Sequence, residues 1–190
     1  VVRMIVATVL IVCLFLVMFE RLQMTDQRLR FIAIITAAAI VGRLLFSSLP
    51  NVQPATALVL LLAVFIHPIV GAISGMLVVV LTSLFLGSGP FVLFQALAYA
   101  TIASLGFVPF LRYRIVLTGY GFLAGFLYGW VSNLGFLVLT GFSWQAFLTL
   151  LVAGGTFDML HGFSNAVFIW ILFPIFLRIM HSFDEKRGTE

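Results

Sequence analysis

Seven long apolar runs, separated by short segments that carry charges, Pro or Gly, constrain this chain more than any other feature. They lie at about 3–19, 31–49, 54–66, 69–86, 91–111, 115–139 and 150–179. Because backbone groups in lipid must hydrogen-bond internally, runs of this length predict transmembrane helices. The runs lack the two-residue alternation of a membrane barrel. The sequence therefore predicts an all-α polytopic membrane protein.

The composition excludes the main alternatives. Of the 190 residues, 63% are hydrophobic and 8% are charged, whereas about a quarter of a soluble domain is charged and a disordered chain has low hydrophobicity. The single cysteine, Cys13, excludes an internal disulfide and a multi-cysteine metal site. No ATP-binding loop or metal-binding motif is present, so we expect no cofactor, no metal and no ATP binding by this chain alone.

The positive charges predict the orientation of the helices in the membrane. Eight of the ten lie in three connections: Arg21, Arg28, Arg30, Arg112, Arg114, Arg178, Lys186 and Arg187. These fall on one side of the membrane if the chain crosses seven times, with the N-terminus outside and the C-terminus inside. The run at 3–19 resembles a signal peptide, but no small-residue cleavage site follows it, so we expect a retained helix.

Under this topology, polar side chains gather in the outward half of the membrane. An ionisable group in a membrane helix costs about 2.5–3.5 kcal/mol and normally faces a cavity or a partner. We therefore expect an outward-facing binding pocket, with Asp158 and His161 as its strongest candidates. The full set of predicted binding residues is Arg43, Asn51, Gln53, Gln95, Tyr99, Trp130, Asn133, Asp158, His161 and Asn165.

Structural roles stay open for the same residues. Asp158 is either a ligand contact, a solvated interfacial group or a partner of His161, and Arg43 is either a site residue or a side chain that reaches the lipid headgroups. Polar amides also join helices in membranes. Without a placed Ser or Cys, Asp158 and His161 make no catalytic triad, so we expect no enzyme. An intramembrane enzyme or a stand-alone carrier is the alternative function.

Small residues in the cytoplasmic half of the second helix predict a docking surface. Ala33 and Ala37 lie one turn apart on one face, and such pairs let another helix approach closely. Packing within this chain is the alternative, and it applies equally to Gly71 and Gly75.

Taken in order, several segments resemble the substrate-binding membrane subunit, or S-component, of an energy-coupling factor (ECF) vitamin transporter, which is an ABC importer. They are the Ala33–Ala37 pair, PNVQPATA at 50–57, the short helix ending at His67-Pro68, FLGSGPF at 85–91 and FDMLH at 157–161. The resemblance covers about 31–179. It implies a six-helix S-component core at 31–180, an additional N-terminal transmembrane helix with a cytoplasmic linker at 1–30, and a cytoplasmic tail at 181–190.

The resemblance also implies a function and partners. Such a subunit captures a vitamin outside a prokaryotic plasma membrane, docks onto a scaffold membrane subunit (T-component) with two cytoplasmic ATPase subunits, and releases the vitamin inward. Small residues matching Ala33 and Ala37 meet the scaffold. Outer loops matching 47–54, 87–90 and 140–145 gate the pocket, which assigns gating positions to Ser88, Gly89, Pro90 and Trp144.

The ligand is the least determined expectation. Segments 51–54 and 87–90 look most like the cobalamin branch of the family. Pantothenate, riboflavin, a pyridoxine-type vitamin and a queuosine precursor stay open. For pantothenate, we expect a clear anion site, such as Arg43 with no opposing charge. No basic patch interleaved with aromatics is present, so we expect no nucleic-acid partner.

Overall fold

The computed structural model describes the backbone of residues 2–187, and the side chains of residues 6–138 and 140–183. Within these residues it is all-helical, without strands, which confirms the predicted fold class at that level. The seven α-helices are α1 Val2–Glu20, α2 Asp26–Leu45, α3 Ala55–Phe65, α4 Pro68–Leu86, α5 Phe91–Ser104, α6 Arg114–Thr140 and α7 Trp144–Arg187.

Membrane character is indicated by three helices that are both long and apolar. Three segments of the described chain are long and apolar enough to cross a membrane: Pro68–Leu86, Arg114–Val138 and Trp144–Phe183. By contrast, α3 has 11 residues and α5 has 14, about 17 Å and 21 Å, which is less than the roughly 30 Å hydrocarbon core. Large apolar side chains such as Leu84, Phe85 and Val152 are exposed on the helix surfaces, as lipid-facing residues are. Seven crossings stay a prediction.

Two helix boundaries differ from the prediction because of capping groups. The second helix begins at Asp26 and not at 31, since the Thr25 hydroxyl accepts a hydrogen bond from the backbone N–H of Arg28 at 3.4 Å. The last helix begins at Trp144 and not at 150, since the Ser143 hydroxyl accepts from the backbone N–H of Ala146 at 3.0 Å. Trp144 therefore lies on the first turn of α7 and not in a loop.

The fifth run is not one helix. After α5 ends at Ser104, two short 3-10 helices follow, Leu105–Phe107 and Pro109–Arg112. Pro109 lacks an N–H and disfavours helical backbone in the residue before it, so α5 cannot continue through this position. The prediction of a continuous helix over 91–111 was wrong at its C-terminal third.

The last helix continues through a proline and through most of the predicted tail. Pro174 has no N–H for the carbonyl of Trp170, four residues earlier, in helix α7. The Arg114 guanidinium donates to that carbonyl oxygen instead, from Nη2 at 2.6 Å and Nε at 3.1 Å. It also lies 3.7 Å from the centre of the Trp170 ring, a cation–π contact. The carbonyl freed by Pro174 is thus satisfied by the first residue of α6.

Helix α3 forms the centre of the bundle. Its residues 55–64 are all buried, and it packs against α2, α4, α5, α6 and α7. A helix that is apolar on every side is stable only when neighbours surround it. Thr56, in its first turn, is the polar exception and is carried into the middle of the bundle.

Glycines bring α6 and α7 into close contact, and this pair is the most extensive in the described chain. Gly121, Gly125 and Gly129 recur every four residues along α6. A Cβ at Gly125 would lie 2.7 Å from the Cα of Gly162 and 2.9 Å from the carbonyl oxygen of Asp158 on α7. No side chain fits between the two backbones here, so the face of α7 that carries Asp158 is held directly against α6.

Candidate functional site

A cluster of polar and aromatic side chains from five helices lies inside the bundle. It consists of Arg43 on α2, Thr56 on α3, Gln95 and Tyr99 on α5, Tyr128 on α6 and His161 on α7. Thr56, Tyr99, Tyr128 and His161 are buried, whereas Arg43 and Gln95 are half-buried. We call these six residues the polar cluster.

Thr56 is the hydrogen-bonding centre of the buried part of the polar cluster. The Thr56 Oγ1 lies 2.9 Å from His161 Nε2 and 3.3 Å from the Tyr99 hydroxyl oxygen. The Tyr128 ring meets both neighbours edge to face, with ring centres 5.0 Å from Tyr99 and 5.1 Å from His161. These contacts fix the orientation of each ring, since aromatic pairs favour this geometry.

Arg43 forms the more open side of the cluster. Its Nη2 donates to Gln95 Oε1 at 3.1 Å, and its Nη1 donates to the Tyr128 hydroxyl at 3.4 Å. It also lines a cavity of about 150 Å³ with Thr82, Ser83 and Gln95. Gly87 borders this cavity, so it lies beside the loop at 87–90 that the sequence predicts to be a gate.

Asp158 lies outside this hydrogen-bonded group. Its side chain is only 4% exposed, and its Oδ2 has no hydrogen-bond partner in the described chain. The carboxyl group lies against Gly129, and a Cβ at Gly154 would lie 3.7 Å from Oδ2 and 3.5 Å from Asn133 Nδ2. Asp158 makes no hydrogen bond to His161 in the described chain, and its role as a ligand contact stays a prediction.

The other predicted site residues are more scattered. Asn165 is buried and donates from Nδ2 to the carbonyl oxygen of Gly121 at 3.1 Å, so it joins α7 to α6. Gln53 is held through its backbone, because the Ser164 hydroxyl accepts from its N–H at 2.9 Å and donates to its carbonyl oxygen at 3.2 Å. Asn51 has a positive φ of 56°, in the same loop.

The predicted gating residues lie at the surface of the described chain. The side chains of Ser88 and Trp144 are exposed, whereas Gly89 and Pro90 are half-buried; Trp130, a predicted binding residue, is also exposed. The Ser88 hydroxyl donates to the carbonyl oxygen of Ser83 at 3.1 Å, which ties the loop at 87–90 to the end of α4. None of these residues contacts the buried part of the polar cluster through a hydrogen bond.

Sequence reasoning missed Thr56, Tyr128 and Ser164. Thr56 lies in the segment PNVQPATA. The amide side chains of this segment were predicted to bind the ligand, but its hydroxyl group was not. Tyr128 was detectable as an aromatic with a polar tip in the middle of an apolar run. The Gly121-Gly125-Gly129 spacing is a standard sign of close helix contact in membranes, and it marks the face of α6 that meets Asp158.

A second feature lies along the middle of α2. An apolar groove of about 360 Å³ is lined by Ala33 and Ala37, with Leu16 and Phe19 of α1 on one side and residues of α4 on the other. Both alanines are exposed. Gly71 and Gly75 have the same spacing but serve internal packing, because a Cβ there would lie 2.5 Å from the Cβ of Ala63 and of Tyr99, respectively.

The chemistry available here is recognition by hydrogen bonds and charge. Within the described residues, no group of three or more His, Cys, Asp and Glu side chains is placed to hold a metal ion. The Thr56 hydroxyl beside His161 is fully buried, and His161 has no carboxylate partner there.

Comparison with protein-family models, curated proteins and solved structures found no match to this chain.

Proposed function

We propose that this chain is the S-component of an ECF-type ABC importer. It captures a vitamin outside a prokaryotic plasma membrane and delivers it inward after docking onto a scaffold membrane subunit and two ATPase subunits. Residues 31–180 are the six-helix core, 1–30 an additional transmembrane helix with its linker, and 181–190 a cytoplasmic tail. The chain crosses the membrane seven times, with its N-terminus outside and its C-terminus inside.

One observation carries the proposal: α2 has two different surfaces at two levels along its axis. Arg43, in its last turn, belongs to the polar cluster and lines a cavity beside the loop at 87–90. Ala37 lies six residues earlier, about 9 Å along the helix axis, and is exposed in an apolar groove. A subunit that binds a solute at one end and a membrane partner at the other requires this separation.

The exposed alanines support a membrane partner. Close packing is the main source of helix association in lipid, so a groove with a floor of small residues suits an incoming helix. The groove at Ala33 and Ala37 has little polar lining, apart from Thr36 and Ser74, which hydrogen-bond to each other at 2.9 Å. It therefore favours an apolar helix over a soluble protein as its occupant.

The docking test uses matched variants of neighbouring alanines. Ala37→Leu fills the groove, whereas Ala38→Leu adds the same side chain at an equally exposed position that does not line it. The tagged full-length chain is co-expressed with an ECF module and purified. We expect the wild-type chain and Ala38→Leu to retain the ATPase subunits, and Ala37→Leu to lose most of them.

The ligand test uses the isolated chain in detergent and a panel of vitamins, with cobalamin first. Ala37→Leu should bind the best ligand with wild-type affinity, because the groove does not include the polar cluster. If that variant loses ligand and keeps the ATPase subunits, the two surfaces of α2 have been assigned the wrong way round. A wild-type chain that retains no ATPase subunit, but transports alone, would support a stand-alone carrier instead.

A further inference from the structure

We propose that Arg43 binds an oxyanion of the captured ligand, a carboxylate or a phosphate group. This inference rests on the proposed capture function, because it assigns a chemical class to the ligand of the same site. The cavity beside Arg43 receives the charged group, and the rest of the ligand lies toward the loop at 87–90.

The first argument is charge. The side chains that face Arg43 are an amide, Gln95, and two phenols, Tyr99 and Tyr128, and no Asp or Glu side chain that the structure describes forms an ion pair with it. The end of α4 and the start of α5 both border the cavity, and their helix dipoles are opposite in sign. The guanidinium therefore sets the charge of this cavity. A half-buried charge without a counter-charge is costly, and such groups normally have one in the functional state.

The second argument is the number of donors. A guanidinium has five N–H donors in a planar fork that matches two oxygens of one carboxylate or phosphate. Arg43 uses one on Gln95 at 3.1 Å and one on Tyr128 at 3.4 Å, which is a long and weak bond. Donors remain for a bidentate contact, while the bond to Gln95 holds the fork in place.

The third argument is the shape and lining of the cavity. Its volume of about 150 Å³ is well below the roughly 300–1,000 Å³ of a pocket that encloses a drug-sized ligand. It is large enough for a single charged group. Thr82 and Ser83 line it beside Arg43, and the Ser83 and Ser88 hydroxyl oxygens lie 3.5 Å apart. Both hydroxyls donate to carbonyl oxygens of α4, Thr82 to Val78 at 2.6 Å and Ser83 to Val80 at 2.7 Å, so the guanidinium is the main donor that faces this cavity.

Two classes of vitamin offer this chemistry. A small acid such as pantothenate has a carboxylate, and cobalamin has a phosphodiester in its nucleotide loop. The two are distinguished by matched neutral probes, namely the amide of the acid and a corrinoid cut before the phosphodiester. For the parent compound that binds, the neutral probe should have a weaker affinity for the wild-type protein. The loss of affinity should equal the loss that Arg43→Gln causes for the parent compound.

The experiment measures the affinity of each parent compound and its neutral probe for purified full-length protein by titration calorimetry. Arg43→Gln removes the charge but keeps hydrogen-bonding capacity, and Arg112→Gln is the control at an exposed arginine outside this cavity. We expect Arg43→Gln to weaken the parent compound about 10- to 100-fold, since hydrogen bonds to a charged group are the stronger kind. It should leave the affinity of the neutral probe unchanged, Arg43→Lys should recover part of the loss, and Arg112→Gln should match the wild type.

Equal losses for parent and neutral probe in Arg43→Gln would overturn the inference, because they would indicate a general disturbance of the pocket. The thermal stability of the empty protein gives a readout that needs no ligand. If Arg43 serves only the fold, the Arg43→Gln variant should have a lower thermal stability than the wild type. If Arg43 is a binding residue without a counter-charge, the thermal stability of the variant should be unchanged or higher. If no vitamin binds the wild type, the capture function fails, and a clear loss of stability in Arg43→Gln rejects the oxyanion role as well.

Discussion

Replacing Gly125 by alanine should destabilise the protein far more than the same replacement at Gly119 on the same helix. A Cβ at Gly125 would lie 2.7 Å from the Cα of Gly162, whereas ordinary van der Waals contact begins at 3.4 Å, so the backbones of α6 and α7 must separate by at least 3.4 − 2.7 = 0.7 Å. Forcing extra atoms into a packed interior costs about 1–3 kcal/mol. At Gly119 a Cβ meets nothing within 4 Å, and alanine gains up to about 1 kcal/mol in helix propensity.

The assay is equilibrium unfolding of both variants in the same detergent, followed by circular dichroism. We expect the free energies of unfolding to differ by about 1–3 kcal/mol, which is the packing cost at Gly125, because alanine gains the same helix propensity at both positions. Gly125→Ala should lower the free energy of unfolding relative to the wild type, and Gly119→Ala should raise it. If Gly125→Ala is as stable as Gly119→Ala, the two helices do not touch through their backbones, and the placement of Asp158 against α6 is wrong.

Three further predictions test other parts of the molecule. Single cysteines at positions 88 and 114, replacing Ser88 and Arg114 in a chain whose native cysteine is removed, should react with impermeant reagents from opposite sides; reaction from one side contradicts seven crossings. Thr36→Val leaves the buried Ser74 hydroxyl without its partner, which should cost about 1–3 kcal/mol of unfolding free energy while ligand affinity stays unchanged; a neutral effect would mean that water replaces the bond. His161→Ala and Asp158→Asn should each weaken binding of the best vitamin about tenfold to hundredfold in calorimetric titrations; wild-type affinity in both would leave the outer loops as the binding surface.

The lengths of the apolar runs were sufficient to predict the helices but not their ends. The apolar runs mark where a helix is stable in lipid, so each run corresponds to a described helix. The ends depend on local groups that the hydropathy pattern does not contain. The Thr25 and Ser143 hydroxyls each begin a helix earlier than the polar segment indicates. Pro109 ends α5 earlier than the apolar run does.

The site was predictable in part. Arg43, Gln95, Tyr99 and His161 were identified because polar groups inside an apolar run are costly and therefore informative. Thr56, the hydrogen-bonding centre of the buried part of the cluster, was missed. A hydroxyl group in a membrane helix has a low free-energy cost, so its presence in an apolar run indicates little about function. The absence of a hydrogen bond between Asp158 and His161 could not be predicted from the sequence either. Residues three apart lie on one face of a helix, but the neighbouring helices decide which side chains meet.

The length of α7 has a mechanical consequence. Its 44 residues extend over about 66 Å, more than twice the hydrocarbon thickness, and Arg114 supplies the hydrogen bond that Pro174 cannot. The helix is therefore continuous from its first turn, past His161 near its middle, to its last turns. A tilt of about 20°, ordinary for membrane helices, moves one end of such a rod by roughly 22 Å relative to the other in the plane of the membrane. If ligand binding at the polar cluster changes this tilt, spin labels on the last turns of α7 would record a displacement.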